Sequence, residues 1–269
     1  KAKKLARIDA LSGVTKEQAE NFVGTFATAA DRQRLEKEGA AIAADALGPD
    51  RVWCVMLPSR YTSQSSLDDA AQCADMIGSR IDTIPISPAV GAFDAMLSGS
   101  FADRDVDITE ENIQSRIRGV TLMALSNKFG HMLLTTGNKS EMSVGYATIY
   151  GDMAGGYNPI KDAYKMTVFA ISEWRNAHKP RIGLGRDGPV IPDNIITKPP
   201  SAELRPDQKD SDSLPDYPVL DKMLHALVEE ERSVDEVVAQ GFDRDTVVRI
   251  ERLLYLAEYK RRQAPPGVK

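Results

Sequence analysis

The segment from Asp107 to Asp162 constrains the fold most, because it joins a capped helix, a short apolar strand and two polar, glycine-rich loops without a break. Thr109 is the predicted helix cap, and Glu110 and Glu111 suit the positive end of the helix dipole. The run from His131 to Leu134 is then predicted to be a buried strand. An apolar strand that opens into a loop rich in Asn, Thr, Lys, Glu and Gly is typical of a nucleotide site.

The flanking sequence alternates between short apolar runs and amphipathic stretches, which predicts an α/β fold. The expected elements are strands at Arg51–Leu57 and Arg80–Ile86, and helices at Leu67–Ile77, Ala89–Leu97 and Ala163–Asn176. Such an order predicts an open parallel sheet with helices on both faces. Ligands of these sheets lie at the carboxyl ends of the strands, so the loop after Leu134 is well placed to contact one.

Two segments interrupt this alternation. Thr15-Lys16-Glu17-Gln18 is a capping box that opens a predicted helix to Glu36, so residues 1–38 are expected to form an atypical N-terminal helical segment ahead of a domain at 39–269. Residues 195–217 are rich in Pro, Ser, Asp and Lys, which predicts a mobile surface loop. Asp243 is the predicted cap of the last long helix.

The composition excludes several classes of protein. A net charge of −5 and a pI near 5.4 argue against a nucleic-acid-binding protein, which needs a basic face. Cys54 and Cys73 have neither a disulfide framework nor metal-ligand spacing. No stretch is long and apolar enough for a membrane span, and no signal-peptide pattern opens the sequence. We therefore expect a soluble, cytoplasmic protein.

Several long blocks carry a resemblance to a known family. They are ENIQSRIRG, TTGNKSEMSVGY and YGDMAGGYNPIKD in the central segment, and VMLPSRYTSQSSLDDA (55–70), IITKPPSAELRPDQKDSDSLPDY (195–217) and LLYLAEYKRRQAPPGVK (253–269) outside it. These blocks resemble the synthetase domain of NAD synthetases, in particular the bacterial glutamine-dependent class. The resemblance implies an adenine nucleotide alpha hydrolase-like, Rossmann-like fold, in which 195–217 acts as a lid over the nucleotide.

The resemblance also implies a reaction and a set of site residues. ATP, with Mg²⁺, adenylates the nicotinate carboxylate of deamido-NAD, and ammonia then displaces AMP to give NAD. The residues implied for ATP binding are Thr136, Lys165, Lys198 and Ser201. Those implied for deamido-NAD binding are Asn112, Arg116, Glu141, Trp174, Arg175 and Lys260, with Glu141 also the implied metal ligand. The family further implies a homodimer or a larger homo-oligomer.

The sequence departs from the family pattern in two respects. It contains no Ser-Gly-Gly-x-Asp-Ser phosphate loop: RQRLEKEG (32–39) stands at the corresponding place, and LSGVTK (11–16) lacks the second Gly and the Asp. It also has no room for an N-terminal amidase domain, so ammonia is expected from solution or from a separate glutaminase domain or chain. Two hypotheses follow: an ammonia-using synthetase, or a non-catalytic relative that binds a dinucleotide or assembles with partners.

Each candidate also has a purely structural interpretation. Asn112 and Arg116 suit an exposed helix pair, since they lie one turn apart. Lys165 on its own suits a solvated helix position, Lys260 a solvated helix end, and Trp174 simple packing. The sequence alone leaves these alternatives open.

Overall fold

The computed structural model describes residues 30–198, 201–206 and 208–268. The predicted capping box at Thr15, the start of its helix and the 11–16 segment lie outside the described residues. Helix α1 spans Ala30–Leu47 and runs without interruption through residues 38 and 39, where the sequence suggested a boundary. Gly48 follows it with a positive φ of 97°, which glycine adopts without strain.

The described residues form a two-stranded parallel sheet. Strand β1 (Trp53–Met56) pairs with β2 (Arg80–Thr83), with Trp53 opposite Arg80, and helix α2 (Gln64–Ile77) makes the crossover between them. Parallel neighbours require such a crossover, because a tight turn can only reverse the chain. Both strands lie within the predicted ranges and are shorter than expected.

The remaining helices follow in chain order. They are α3 (Ser87–Leu97), α4 (Ile108–Phe129), α5 (Lys139–Val144), α6 (Lys165–Ala177), α7 (Asp193–Thr197), α8 (Tyr217–Leu224), α9 (Val234–Val238), α10 (Arg244–Leu256) and α11 (Glu258–Arg262). A π-helical turn, His225–Glu229, extends α8. Among the described residues, no helix combines the length and the apolar character needed to span a bilayer.

The cap of α4 differs from the prediction. Asp107, not Thr109, is the N-cap: its carboxylate accepts a hydrogen bond from the Thr109 backbone N–H at 2.7 Å, and Glu110 completes a capping box. Asp and Thr both cap helices well, so the sequence could not decide between them. Asp243 does cap α10, as predicted, through the backbone N–H of Thr246.

The predicted strand His131–Leu134 is reduced to isolated bridges. Leu134 bridges Tyr157 in parallel, Thr135 N–H donates to Tyr157 O at 2.9 Å, and Gly156 N–H donates to Leu133 O at 2.8 Å. The partner is therefore a glycine-rich loop. A Cβ on Gly155 would lie 2.6 Å from Thr135 Cγ2, so only glycine permits this close approach.

The core lies on both sides of β1, as its alternating side chains require. Cys54 packs into one cluster with α1 and α2, including Ala44, Cys73 and Ile77. Val55 packs into another with α4 on the opposite face. Helices thus cover both faces of the parallel sheet, which confirms the predicted α/β class. The C-terminal helices α8 to α10 enclose a further cluster of their own, around Leu220, Met223, Val237 and Ile250.

Candidate active site

A buried ion pair joins α5 to α6. Asn138 caps α5, and its backbone N–H donates to Glu141 Oε2 at 3.1 Å while its side-chain oxygen accepts from the Glu141 N–H at 2.9 Å. Lys165, the first residue of α6, donates from Nζ to Glu141 Oε1 at 3.1 Å. Lys165 is 0% exposed. The structure therefore excludes the interpretation of Lys165 as a solvated helix residue.

Further acidic and aromatic groups surround this pair. The Lys165 Nζ lies 4.7 Å from the centre of the Tyr217 ring. The hydroxyls of Tyr217 and Tyr146 both donate to Asp210, at 2.6 Å and 2.9 Å. Burial raises the pKa of Glu141 most strongly; the charge of Lys165 lowers this pKa and the charge of Asp210 raises it. Ionisable groups perturbed by burial and by specific neighbours are typical of functional sites.

Thr136 belongs to the same region. It lies just before Asn138 in the segment that follows the Leu134 bridge, and its side chain is buried. We call Thr136, Asn138, Glu141 and Lys165 the α5–α6 group. This group follows the carboxyl end of the predicted strand His131–Leu134, where the sequence predicted a ligand-facing loop.

Described residues of the segment 195–217 contact the N-terminus of α2. Lys198 Nζ donates to Ser66 Oγ at 2.9 Å, and Ser66 Oγ donates to Glu203 Oε1, also at 2.9 Å. The Glu203 carboxylate also accepts from the Ser63 N–H at 3.1 Å. Ser201 Oγ donates to the carbonyl of Gln208. Lys198 and Ser201 thus both belong to this segment, where Lys198 binds Ser66 and Ser201 binds Gln208.

Asp210 connects the two regions, since it belongs to the 195–217 segment and accepts a hydrogen bond from Tyr217, whose ring lies next to Lys165. Glu203 adds a sign of constraint: its φ of 44° is unusual for a residue other than glycine. Strained residues persist where surrounding contacts hold them, and they concentrate at functional segments. The mobility of the segment stays a prediction.

Three further candidates converge on the loop 145–152. Asn112 Oδ1 accepts from Thr148 Oγ1 at 2.9 Å, and Arg116 Nε donates to Ile149 O at 3.3 Å. Lys260 Nζ donates to Gly145 O at 2.8 Å and to Ala147 O at 2.7 Å. Asn112 and Arg116 therefore face the same side of α4, as their spacing predicted.

A pocket of about 610 Å³ lies beside this loop. Its walls are α4, residues 149–155 of the loop and the chain after α11, including Val120, Met123, Asn127, Tyr150, Met153 and Gln263. The loop starts at Gly145, the C-cap of α5, so the pocket region and the α5–α6 group are joined through one short helix. The volume suits a nucleotide-sized ligand.

Trp174 and Arg175 lie elsewhere. They are in the last turns of α6, where Arg175 is about 15 Å along the helix axis from Lys165. The Arg175 guanidinium donates to both oxygens of Asp45, at 2.6 Å and 3.0 Å, and to the carbonyls of Arg186 and Gly188. Trp174 is half exposed and stacks on His178. These contacts do not bring either residue to the α5–α6 group or to the 145–152 loop.

Within the described chain, no three His, Cys, Asp or Glu side chains are grouped to hold a metal ion. A single carboxylate such as Glu141 nevertheless fits Mg²⁺, because this ion is commonly held by one or two carboxylates together with substrate phosphates and water. The residues present are thus compatible with Mg²⁺ that arrives with a nucleotide.

The sequence did not single out Asp210, Glu203 or Asp221. Asp210 and Glu203 lie in a polar segment where acidic residues are common, so nothing marked them. Asp221 carried a signal: it stands in α8 beside the apolar Leu220, Met223 and Leu224, and the structure buries it with them. A carboxylate on a buried helix face needs hydrogen-bond partners, so the position of Asp221 among apolar residues was a signal that it binds specific groups.

Comparisons with known proteins agree with this geometry. The NAD synthase family model matches residues 38–264. The glutamine-dependent NAD(+) synthetase of Rhodobacter capsulatus is 62% identical over 229 residues, covering 85% of this chain and 41% of the relative. That of Xanthomonas campestris is 55% identical over 229 residues, covering 85% and 40%. The chain therefore spans about two fifths of the length of these curated relatives.

Solved structures show the same likeness. A glutamine-dependent NAD+ synthetase from Acinetobacter baumannii, in complex with ADP, is 40% identical with a TM-score of 0.61, covering 93% of this chain and 43% of that one. The NMN synthetase of Francisella tularensis is 24% identical with a TM-score of 0.72, covering 97% and 94%, which bears on the fold alone. With the family model matching most of the chain, these findings identify it as a member of the NAD synthase family.

Proposed function

We propose that this chain is the synthetase part of an NAD synthetase, which uses ATP and ammonia to convert deamido-NAD to NAD, AMP and pyrophosphate. The observation that carries the proposal is the connection through α5. The α5–α6 group lies at the start of this helix, and the loop that Asn112, Arg116 and Lys260 contact begins at its end. A reaction that joins two nucleotides needs two such adjoining sites.

The first step needs charge neutralisation and positioning more than covalent chemistry. A carboxylate is a poor electrophile, so its oxygen must first attack the α-phosphate of ATP, with pyrophosphate leaving. Thr136, Lys165, Lys198 and Ser201 would contact ATP, with Lys165 supplying positive charge. Bound Mg²⁺, held by Glu141, would neutralise phosphate charge. Because Glu141 now pairs with Lys165, ATP binding would separate them and give each a new partner.

The second step needs only that ammonia reaches the activated acyl carbon and that water does not. Asn112, Arg116 and Lys260 would hold deamido-NAD against the 145–152 loop, beside the pocket lined by α4. Trp174 and Arg175 join this set by resemblance alone. Ammonia would come from solution or from a separate glutaminase domain or chain. The glutamine-dependent relatives, which are much longer than this chain, support a glutaminase as the source.

A homodimer or a larger homo-oligomer is part of the proposal. Val120 on α4 and Tyr150 on the neighbouring loop are 69% and 67% exposed, although both are large and apolar or aromatic. Large apolar side chains that share an exposed surface are typical of interfaces. Equilibrium sedimentation, which gives the mass in solution, checks this; a monomer at every concentration would contradict it.

A second candidate function rests on the sequence. No Ser-Gly-Gly-x-Asp-Ser loop occurs in it. Loss of a phosphate-binding backbone loop and its metal carboxylate would cost about 3 kcal/mol or more of transition-state stabilisation, which is at least about a hundredfold in rate. This favours a non-catalytic relative that still binds a dinucleotide.

Titration calorimetry with Mg-ATP and, separately, with deamido-NAD, followed by an NAD-formation assay with ammonium, decides between the candidates. Binding of both nucleotides with turnover supports the synthetase. Binding of deamido-NAD alone, without turnover, supports the second candidate, and binding of neither contradicts both. Arg116→Ala should weaken deamido-NAD binding about tenfold and leave Mg-ATP binding unchanged. Lys128→Ala, at the exposed end of the same helix, is the control.

A further inference from the structure

A buried carboxylate on α8 reaches the backbone next to both members of the Lys165–Glu141 pair. We propose that Asp221 is a positioning residue for this pair, setting the spacing of α5 and α6 so that Lys165 and Glu141 can engage the nucleotide. The functional part of this inference rests on the proposed function. Asp221 acts through the residues that adjoin Lys165 and Glu141 in the chain.

The hydrogen bonds show how the link is made. Asp221 Oδ1 accepts from Ser140 Oγ at 2.5 Å, and Ser140 immediately precedes Glu141. Asp221 Oδ2 accepts from the backbone N–H of Met166 at 2.8 Å, and Met166 immediately follows Lys165. Ser140 Oγ in turn accepts from the backbone N–H of Lys165 at 2.9 Å. One carboxylate therefore fixes α5 and α6 relative to each other.

Asp221 also supplies the cap that α6 lacks locally. Tyr164, the N-cap residue of α6, makes no side-chain capping bond among the described residues. The first N–H groups of a helix have no partner within the helix, so they need one from outside. Asp221, with Ser140, provides it for Met166 and Lys165. A carboxylate also suits the positive end of the α6 dipole.

The carboxylate is held rigidly in turn. Leu220, Met223 and Leu224 on either side of it are 0–1% exposed in the C-terminal core cluster. Burial raises the pKa of Asp221, while its bonds to Met166 and Ser140 and the charge of Lys165 lower that pKa. The bonds that favour the ionised form are those that position α5 and α6.

The test compares Asp221→Ala and Asp221→Asn with Val237→Ala. Asparagine keeps an acceptor for the Met166 N–H and is the conservative variant. Val237 is fully buried in the same cluster but belongs to α9, so Val237→Ala destabilises the C-terminal core and leaves the hydrogen bonds of Asp221 and Ser140 in place. All measurements use temperatures at which every variant is folded.

The first readout is the rate at which acetic anhydride modifies Lys165, followed by mass spectrometry. Buried Lys165 should react slowly in the wild-type chain. Asp221→Ala should raise the rate about tenfold. Losing one hydrogen bond to a charged group makes local opening, which exposes Lys165, about this much more frequent. Asp221→Asn should lie between, and Val237→Ala should match the wild type. Equal rates in Asp221→Ala and Val237→Ala would overturn the positioning role.

The second readout is Mg-ATP affinity. Asp221→Ala should weaken it about tenfold or more, as loss of a residue that orients a binding group does, while Val237→Ala leaves it unchanged. Faster modification of Lys165 with unchanged Mg-ATP affinity would overturn the functional part. If the wild-type chain does not bind Mg-ATP, the proposed function fails, and the Lys165 modification rates still decide whether Asp221 positions the pair.

Discussion

Removal of the Lys165 charge gives the sharpest test of the buried pair. Lys165→Met keeps most of the aliphatic stem and deletes the ammonium group, so Glu141 loses the donor at 3.1 Å and stays buried. A buried charge without its partner typically costs about 3–5 kcal/mol. The nearby charge of Asp210 adds to the unfavourable field at Glu141. We therefore expect the free energy of unfolding to fall by about 3–5 kcal/mol.

Urea denaturation at neutral pH measures this loss, and a double-mutant cycle separates its cause. Glu141→Gln combined with Lys165→Met removes both charges, so the double variant should be more stable than Lys165→Met alone. Lys128→Met is the matched control: Lys128 is exposed in the last turn of α4, and its loss should change stability by about 0.5 kcal/mol or less.

The pH dependence of the stability difference is an independent test of the prediction. Lys165 lowers the pKa of Glu141, so its loss raises a pKa that burial has already raised. In the Lys165→Met variant, Glu141 then keeps its proton in the folded state at a pH where it releases the proton in the unfolded chain. The free energy of unfolding therefore falls as the pH rises above the unfolded pKa of Glu. The stability difference from the wild type should therefore shrink as the pH falls from about 8 to about 5.

Two results would refute this reasoning. A loss below about 1 kcal/mol at neutral pH would mean that Glu141 relaxes into water or is already neutral. A difference from the wild type that grows as the pH falls would mean that Glu141 is ionised and stabilised by other partners. Either result would also remove the buried pair as the electrostatic centre of the proposed nucleotide site.

Three further predictions concern the neighbouring regions. Gly119→Ala should weaken deamido-NAD binding several-fold in calorimetry, because its Cβ would lie 2.7 Å from Tyr150 O and push the pocket loop away from α4; unchanged affinity would argue against the pocket. Glu203→Ala removes the acceptor of Ser63 N–H and Ser66 Oγ, so trypsin should cut segment 195–217 several-fold faster after Lys209, its one basic residue not followed by proline, with Glu251→Ala as the control. Lys260→Ala loses donors to Gly145 O and Ala147 O and should lower the free energy of unfolding by about 1–3 kcal/mol in urea; a change within error would mean that water replaces the ammonium group.

Local sequence signals predicted the elements better than their ends. Asp243 is a cap as expected, whereas at the start of α4 Asp107 takes the role predicted for Thr109, because two good capping residues stand close together. The His131–Leu134 run is apolar enough for a strand, but it pairs only with a glycine-rich loop and forms bridges instead. Such outcomes depend on the partner, which no local pattern contains.

The site candidates divide in the same way. The spacing of Asn112 and Arg116 placed both on one side of α4, and the structure confirms it. Lys165 had a plausible solvated interpretation, yet it is fully buried, because the acceptor that makes burial tolerable comes from another helix. The roles of Asp210 and Glu203 were hidden for the same reason, since their partners are distant in the chain.

The sequence by itself determined the α/β class, most of the longer helices, the family and the placement of Asn112 and Arg116 on one side of α4. These follow from periodicity, capping residues and contiguous motifs, all of which act over a few neighbouring residues. Only the tertiary structure decided that Lys165 and Glu141 form a buried pair, that Asp221 ties their helices together, and that Arg175 binds Asp45. Each of these depends on bringing distant side chains into a buried setting, where the cost of an unpaired charge selects the partner.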